Sequence, residues 1–432
     1  MRQTDIFCKN DKRLIIAACS LAASGAIGTY TVAQWTVSLS DRPLMLLIMQ
    51  FALQTIPHIL TYYLTYKLMR KFKYTTLLGI SIFVRAMSAV FFLGFALFGQ
   101  VMLGNIVFGI LAGAGSGMFW CSYNVALNRV ERHNFKRYLS TEGSLSEILS
   151  IGAPFIMAGS ILIFRNVYEL PVQVYITLVA LNVTLKMIAV AFVFTVKGDR
   201  EKGVLGLKGK FFKRDDKLWN NMILFSLFFG VVSGVAGSLG GVILILFTQS
   251  GHSQVAYLVI LSVCMFAASM VLFFYRRIRI GNRFLYYFFV TVEAAVFITI
   301  SFLYGSFVLL SVCGLILLVQ NIAVKMRLPL EVACHVEVLS SYLKTEGNVA
   351  GRYFVREMFI IIGRLIGAGV ALTFALTISA PYYFFVAVLF GFIVFNSLTV
   401  IWYTRVLKGA GKLREQKTLD EDKKELFESQ PA

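Results

Sequence analysis

Charge is scarce in this chain. Only 15% of its 432 residues are Asp, Glu, Lys or Arg, where a soluble globular chain carries roughly 25%. With 58% hydrophobic residues and a mean hydropathy of +0.75, that shortage excludes a single soluble core in a polar shell. The six cysteines (Cys8, Cys19, Cys121, Cys264, Cys313 and Cys334) are scattered and form no CxxC pair. They read as small apolar fillers, not as zinc ligands or a redox couple. There are four His, and no clustered His, Asp and Ser or metal-ligand arrangement emerges. An enzyme, a metal centre and a cofactor site are therefore not expected. GAGSG at 113–117 lies in an apolar run and lacks a following GK[ST], so it is not a phosphate loop. No cleavable signal peptide is evident: the apolar stretch after Lys9–Arg13 is much longer than a signal core, so the first segment is expected to be retained.

Long apolar runs fill the sequence. About 20 helical residues cross a bilayer, and twelve such spans can be drawn, at roughly 14–39, 44–66, 74–98, 101–127, 145–165, 171–196, 218–248, 254–275, 284–304, 306–324, 351–378 and 382–404. The weakest divisions are Tyr304–Gly305 and Gly99–Gln100. The formal charge of +19 would suggest nucleic acid in a soluble protein. Here it sits in alternate loops: Lys9 to Arg13, Lys67 to Lys73, Arg129 to Arg137, Lys197 to Lys217, Arg276 to Arg283 and Lys325 to Lys344. The opposite loops offer only Arg42 and Arg165 as clear basic residues. This positive-inside pattern places both termini and the central linker in the cytoplasm and turns the basic loops toward anionic lipid headgroups. It implies an integral protein, expected in a bacterial cytoplasmic membrane, with no nucleic-acid partner.

A short phrase occurs twice, about half a chain length apart: YLSTEG at Tyr138–Gly143 and YLKTEG at Tyr342–Gly347. Slightly upstream of each stands an echo, NVAL at 124–127 and NIAV at 321–324. Both phrases fall in basic loops before spans 5 and 11, as a duplicated six-span unit with parallel copies predicts. The resulting expectation is an all-α polytopic membrane protein with twelve transmembrane helices in two pseudo-symmetric six-helix bundles. The bundles are 1–196 and 218–404, joined by a basic linker, 197–217, and followed by a cytoplasmic tail, 405–432. The local chemistry reads as a helix start. Ser144 with Glu147 makes a capping box, Asn348 takes the matching cap position, and Glu142 and Glu346 add charge near each N-terminus. Capping, cytoplasmic salt bridges and gating by the two glutamates are compatible readings.

Charges inside spans are costly and raise functional hypotheses. They are Arg85, Lys186, Glu293 and Arg364. Glu293 reads either as a proton-coupling carboxylate or as a structural charge inside the second half. Arg364 meets either an anionic substrate group or Glu357, two helical turns earlier on the same face. Gln50, Gln54 and His58 form an i, i+4, i+8 stripe on span 2. That stripe suits a proton-sensitive cavity edge or a helix-packing seam. Gly109, Gly113 and Gly117 line one face of span 4. Gly230, Gly234, Gly237 and Gly241 run through span 7, and Gly363 and Gly367 mark span 11. These serve close packing or, at Gly237 and Gly241, a bend that gates.

Twelve spans, two parallel halves, a basic central linker and cytoplasmic termini resemble the major facilitator superfamily. The loop KLMRKFKYTTLLG at 67–79 keeps the basic residues of that superfamily's signature between spans 2 and 3 but lacks its acid and glycines. The match is that of a divergent branch. The resemblance implies that spans 1, 4, 7 and 10 line a central cavity. On this chain those spans supply Gln34 and Trp35, then Trp120, Tyr123 and Asn124, and finally Gln320 and Asn321, with Arg364 at the border. Such a lining is neutral, aromatic and amphipathic. The implied function is secondary active transport of an amphipathic organic solute by a monomer through alternating access. Protons are the implied coupling ion, acting through Glu293 or His58, and no cofactor is involved. The rival reading is a sensor or complex organiser on a transporter scaffold.

Overall fold

The computed structural model describes residues 8–40, 42–127, 132–168, 171–198, 200, 211, 212, 216–249, 254–275, 350–377 and 390–410, with scattered positions between 284 and 342 and at 387. These residues form α1 (Lys9–Leu39), α2 (Pro43–Leu68), α3 (Tyr74–Leu97), α4 (Val101–Leu127), α5 (Arg132–Ser160), α6 (Pro171–Phe194), α7 (Lys217–Gln249), α8 (Gln254–Tyr275), α9 (Ala350–Thr377) and α10 (Phe390–Ala410). Among the described residues, nine stretches are long and apolar enough to cross a membrane. Helices α1 to α8 fall on expected spans 1 to 8, and α9 and α10 on spans 11 and 12. Spans 9 and 10 lie outside the described elements. Glu293, Gln320, Asn321 and Glu346 lie outside the described residues.

Two local expectations need correction. The first TEG phrase does not start a helix: α5 begins at Arg132, so Tyr138 to Gly143 lie inside it and Ser144 is no cap. Tyr138 is completely buried, and this tertiary packing holds the polar stretch helical although its composition resembles a loop. Nor does α7 break at Gly237–Gly241, because the helix is continuous from Lys217 to Gln249. Beyond Ser160, α5 widens into a π-helical segment, Ile161–Val167.

The weak division at Gly99 is a sharp stop. Gly99 takes φ +74°, its N–H reaches Ala96 O, and Gln100 N–H reaches Phe95 O. This paired closure of the last helical turn needs a left-handed residue, which glycine adopts without a Cβ penalty.

Packing explains the glycine stripe on α4. A Cβ at Gly109 would stand 3.0 Å from Gln50 O, one at Gly113 2.2 Å from Gln54 O, and one at Gly117 2.0 Å from His58 O. The glycine stripe of α4 therefore lies against the backbone under the polar stripe of α2. In lipid, helices associate through such close van der Waals contact, since apolar side chains gain little by leaving lipid tails. A second seam joins α7 to α9. There Gly230 meets Ile360 O, Gly234 meets Arg364 O, Gly363 meets Leu227 O, and Gly367 meets Val231 O. Helix α1 packs on α5 and α6, and α3 on α4 and α6. Contacts between helices on either side of the linker include α2 with α9, α2 with α7 and α5 with α8.

Candidate functional site

The contact between α2 and α9 brings together titratable side chains far apart in sequence. His58 follows the helix-internal Pro57 on α2. Its Nε2 lies 3.7 Å from Oε1 of Glu357 on α9, with both side chains largely buried. One turn along α2, Tyr62 and Tyr63 pack on Phe354 of α9, with ring centroids 6.0 and 5.5 Å apart. Asn124 Nδ2 of α4 donates to the Tyr62 hydroxyl at 3.2 Å. Arg364, two turns beyond Glu357, is within electrostatic reach of both Glu357 and His58.

Arg85 enters the same region from α3. Its Cγ occupies space that a Cβ at Gly115 would take, and its Nη2 approaches Gly25 of α1. The guanidinium stands over Phe119 of α4, 5.7 Å from the ring centroid. It too is within electrostatic reach of His58. Arg85 belongs to a helix outside the four expected to line the cavity, yet its head reaches toward α1 and α4. Lys186 is different in kind. Its ammonium donates to Asn182 Oδ1 at 2.6 Å and Arg85 O at 2.9 Å, while Asn182 donates to Ser24 O at 2.6 Å. Together these bonds tie α6 to α3 and α1, a structural role.

The first repeated phrase and Tyr342 of the second occupy a separate region, at the end of the helices carrying Lys9, Lys67, Lys73, Lys197 and Lys217 (the basic end). Tyr138 and Glu142 of α5 face the Tyr123 hydroxyl of α4, and Tyr138 also stands within electrostatic reach of Asp11 in the first turn of α1. Burial pushes the Tyr138 phenol above its ordinary range, with Glu142 and Asp11 adding to the shift. In the second copy, Tyr342 donates to Asp216 Oδ1 at 2.6 Å. Asp216 also accepts from Trp219 N–H at 3.0 Å, capping α7, and pairs with Arg352 at 3.5 Å. The guanidinium carbon of Arg352 in turn stands over the rings of Tyr342 and Trp219, 3.6 and 4.6 Å from their centroids. Each phrase thus sets its tyrosine beside an aspartate at the start of a long helix. Close by, Arg356 Nη2 lies 3.1 Å from Nδ1 of buried His335. Burial, with Arg356 adding to it, holds the His335 imidazole well below its ordinary range. A hollow of about 510 Å³, lined by Lys73, Thr75, Phe194 and Lys197, also opens at the basic end, away from His58.

No protein-family model matches the sequence, and no curated protein matches it. Solved structures do match. A bacterial homologue of the iron transporter ferroportin, in its inward-facing state, superposes with TM-score 0.64 at 12% identity, over 91% of this chain and 98% of its own. The human organic anion transporter MFSD10 (TETRAN) gives 0.60 at 12% identity, over 92% and 100%. FucP, a Major Facilitator Superfamily transporter in the outward conformation, gives 0.57 at 15% identity, over 93% and 99%. The fold is that of the major facilitator transporters. Such identities carry the fold and leave the cargo open.

Within this fold the expected lining residues take different places. Gln34 is buried, and neither amide atom has a hydrogen-bond partner among the described residues. Trp35 stacks on Tyr175 of α6 at 4.4 Å and meets Phe92 of α3 edge-on at 5.7 Å, in a packed cluster apart from His58. Trp120 is 44% exposed. Tyr123 turns to the first phrase, while Asn124, His58 and Arg364 share the neighbourhood of the α2–α9 contact. Sequence reading missed Tyr62 and Phe354, which are ordinary apolar-face residues by pattern. It also left Glu357 as a partner for Arg364, because nothing local pairs it with His58.

Proposed function

We propose that this protein is a secondary active transporter that moves a small amphipathic organic solute by alternating access, with proton coupling at His58 and Glu357. The observation that carries the reading is the 3.7 Å approach of these two side chains. They come from helices on opposite sides of the central linker, in a fold whose solved examples are transporters. The contacts of α2 with α7 and α9, and of α5 with α8, suit two halves rocking against each other. A charged imidazole beside a carboxylate attracts it strongly in a low-dielectric setting, and a neutral pair does not. One proton therefore changes the adhesion of the halves at the point where they must part. Arg85 and Arg364 bias His58 by their positive charge, and Tyr62 packs beside it. The protein is read as a monomer of the cytoplasmic membrane, with basic loops and termini inside and the glutamates of the TEG phrases steadying the closed basic end.

Uptake and efflux of a broad metabolite pool in proteoliposomes, with and without a proton gradient, test this reading. At least one solute is expected to accumulate only under the gradient. Replacing His58 by Gln or Glu357 by Gln is expected to cut gradient-driven accumulation at least about tenfold while leaving downhill exchange in place. Solute binding with no flux under any gradient would favour the sensor reading.

A further inference from the structure

Resting on the transport reading, we infer that the solute carries an anionic group, bound between Arg85 and Arg364 beside His58. The argument is a charge inventory. The acidic residues with described side chains are Asp11, Glu142, Asp216 and Glu357. Asp11, Glu142 and Asp216 serve the basic end, as set out above. Of these four, Glu357 stands among the described membrane-embedded cations, and its carboxylate is already engaged 3.7 Å from His58. Arg364 shares that carboxylate, with Arg356 adding further positive charge. Arg85 has no acidic group against it among the described residues.

A guanidinium inside a bilayer without a counter-ion is expensive and needs a reason. Arg85 is also prepared for a ligand. Phe119 covers one face of the guanidinium, and a cation over an aromatic face keeps its N–H donors free in the plane. Gly115 removes the Cβ that would obstruct its stem, and its tip comes near Gly25 of α1. Its helix packs against α4 and α6, and the residue as a whole is half-buried between them. The planar fork of donors matches a carboxylate bidentately, which a lysine cannot do. Lys186 is not part of this site, since its ammonium is spent on Asn182 and Arg85 O. The occupant is therefore an organic anion whose carboxylate meets the arginines and whose apolar body lies against Phe119 and its neighbours.

The test is thermal stabilisation of the purified full chain by matched pairs of aromatic, aliphatic and hydroxylated carboxylic acids and their neutral amides. At least one acid is expected to raise the melting temperature by several degrees where its amide does not. Arg85→Gln and Arg364→Gln are each expected to abolish that difference while melting cooperatively without ligand. Arg85→Lys keeps charge but loses the fork, and is expected to weaken the acid about tenfold. It also carries the test should Arg85→Gln not fold. A panel in which no acid exceeds its amide, or a preference that stands undiminished in Arg364→Gln or in the Arg85 variant that folds, overturns the inference. Proteoliposome flux of the stabilising acid separates the two readings. Binding without movement keeps the anion site and removes the transporter. Gradient-driven flux of neutral solutes alone keeps the transporter and removes the anion site.

Discussion

Gly117 of α4 lies against the carbonyl oxygen of His58 so closely that a Cβ there would stand 2.0 Å away. The residue proposed for proton coupling thus has its backbone held by a glycine on another helix. Gly117→Ala is expected to force α2 and α4 apart, costing about 1–3 kcal/mol as overpacking does, and to lower transport. Gly152, with open space around it, is the control. Gly152→Ala should leave the melting temperature unchanged in fluorescence-detected size-exclusion melts.

Asp216 joins three partners at the start of α7: Trp219 N–H, Tyr342 and Arg352. Losing an N-cap costs about 1 kcal/mol, and the freed Arg352 and Tyr342 add to that. Asp216→Ala should melt several degrees lower, whereas Tyr342→Phe should show a smaller loss. Equal melting of Asp216→Ala and wild type would contradict a stabilising role for these three contacts.

His335 supplies a pH dependence whose sign is definite. Its folded pKa is depressed, first by burial and then by Arg356, so the unfolded chain binds the proton more readily. The stability this contributes is fully present above the ordinary imidazole range, near pH 6.5, and is lost as pH falls below it. Melting between pH 8 and pH 5 should show a downward slope below pH 6.5 that is shallower in His335→Gln, which cannot take up the proton. Parallel slopes would contradict the burial of a neutral imidazole.

Cys8 is exposed beside Lys9, and the other described thiols, Cys19, Cys121 and Cys264, are buried. A membrane-impermeant maleimide applied to right-side-out vesicles of a variant with Cys8 as sole thiol should label nothing until the vesicles are opened. Labelling of sealed vesicles would invert the proposed orientation.

Much of the molecule is legible in sequence because its signals are local. Apolar length predicted α1 to α8, α9 and α10 within a few residues at most ends, and Gly99 marked a true stop. The stripes on α2 and α4 were each readable as a periodicity, yet nothing local said that Gly113 lies on Gln54. The first TEG phrase misled for a related reason. Ser144 and Glu147 have the pattern of a cap, but Tyr138 finds a buried site that extends the helix past them. The candidate site was half visible. His58, Arg85 and Arg364 stood out as polar groups in apolar runs, while Glu357 was tied by spacing to its own helix.

Hydropathy and loop charge determine how many segments enter a membrane and which ends share a side, because partition into lipid depends on each segment's own composition. They determine neither which helices meet nor which charges neutralise each other. The approach of His58 to Glu357, the lack of a described acidic partner for Arg85 and the aspartates beside Tyr138 and Tyr342 were decided only in the tertiary structure. These contacts join residues over a hundred positions apart, and helix crossing, set by glycines that allow backbones to touch, brings them together.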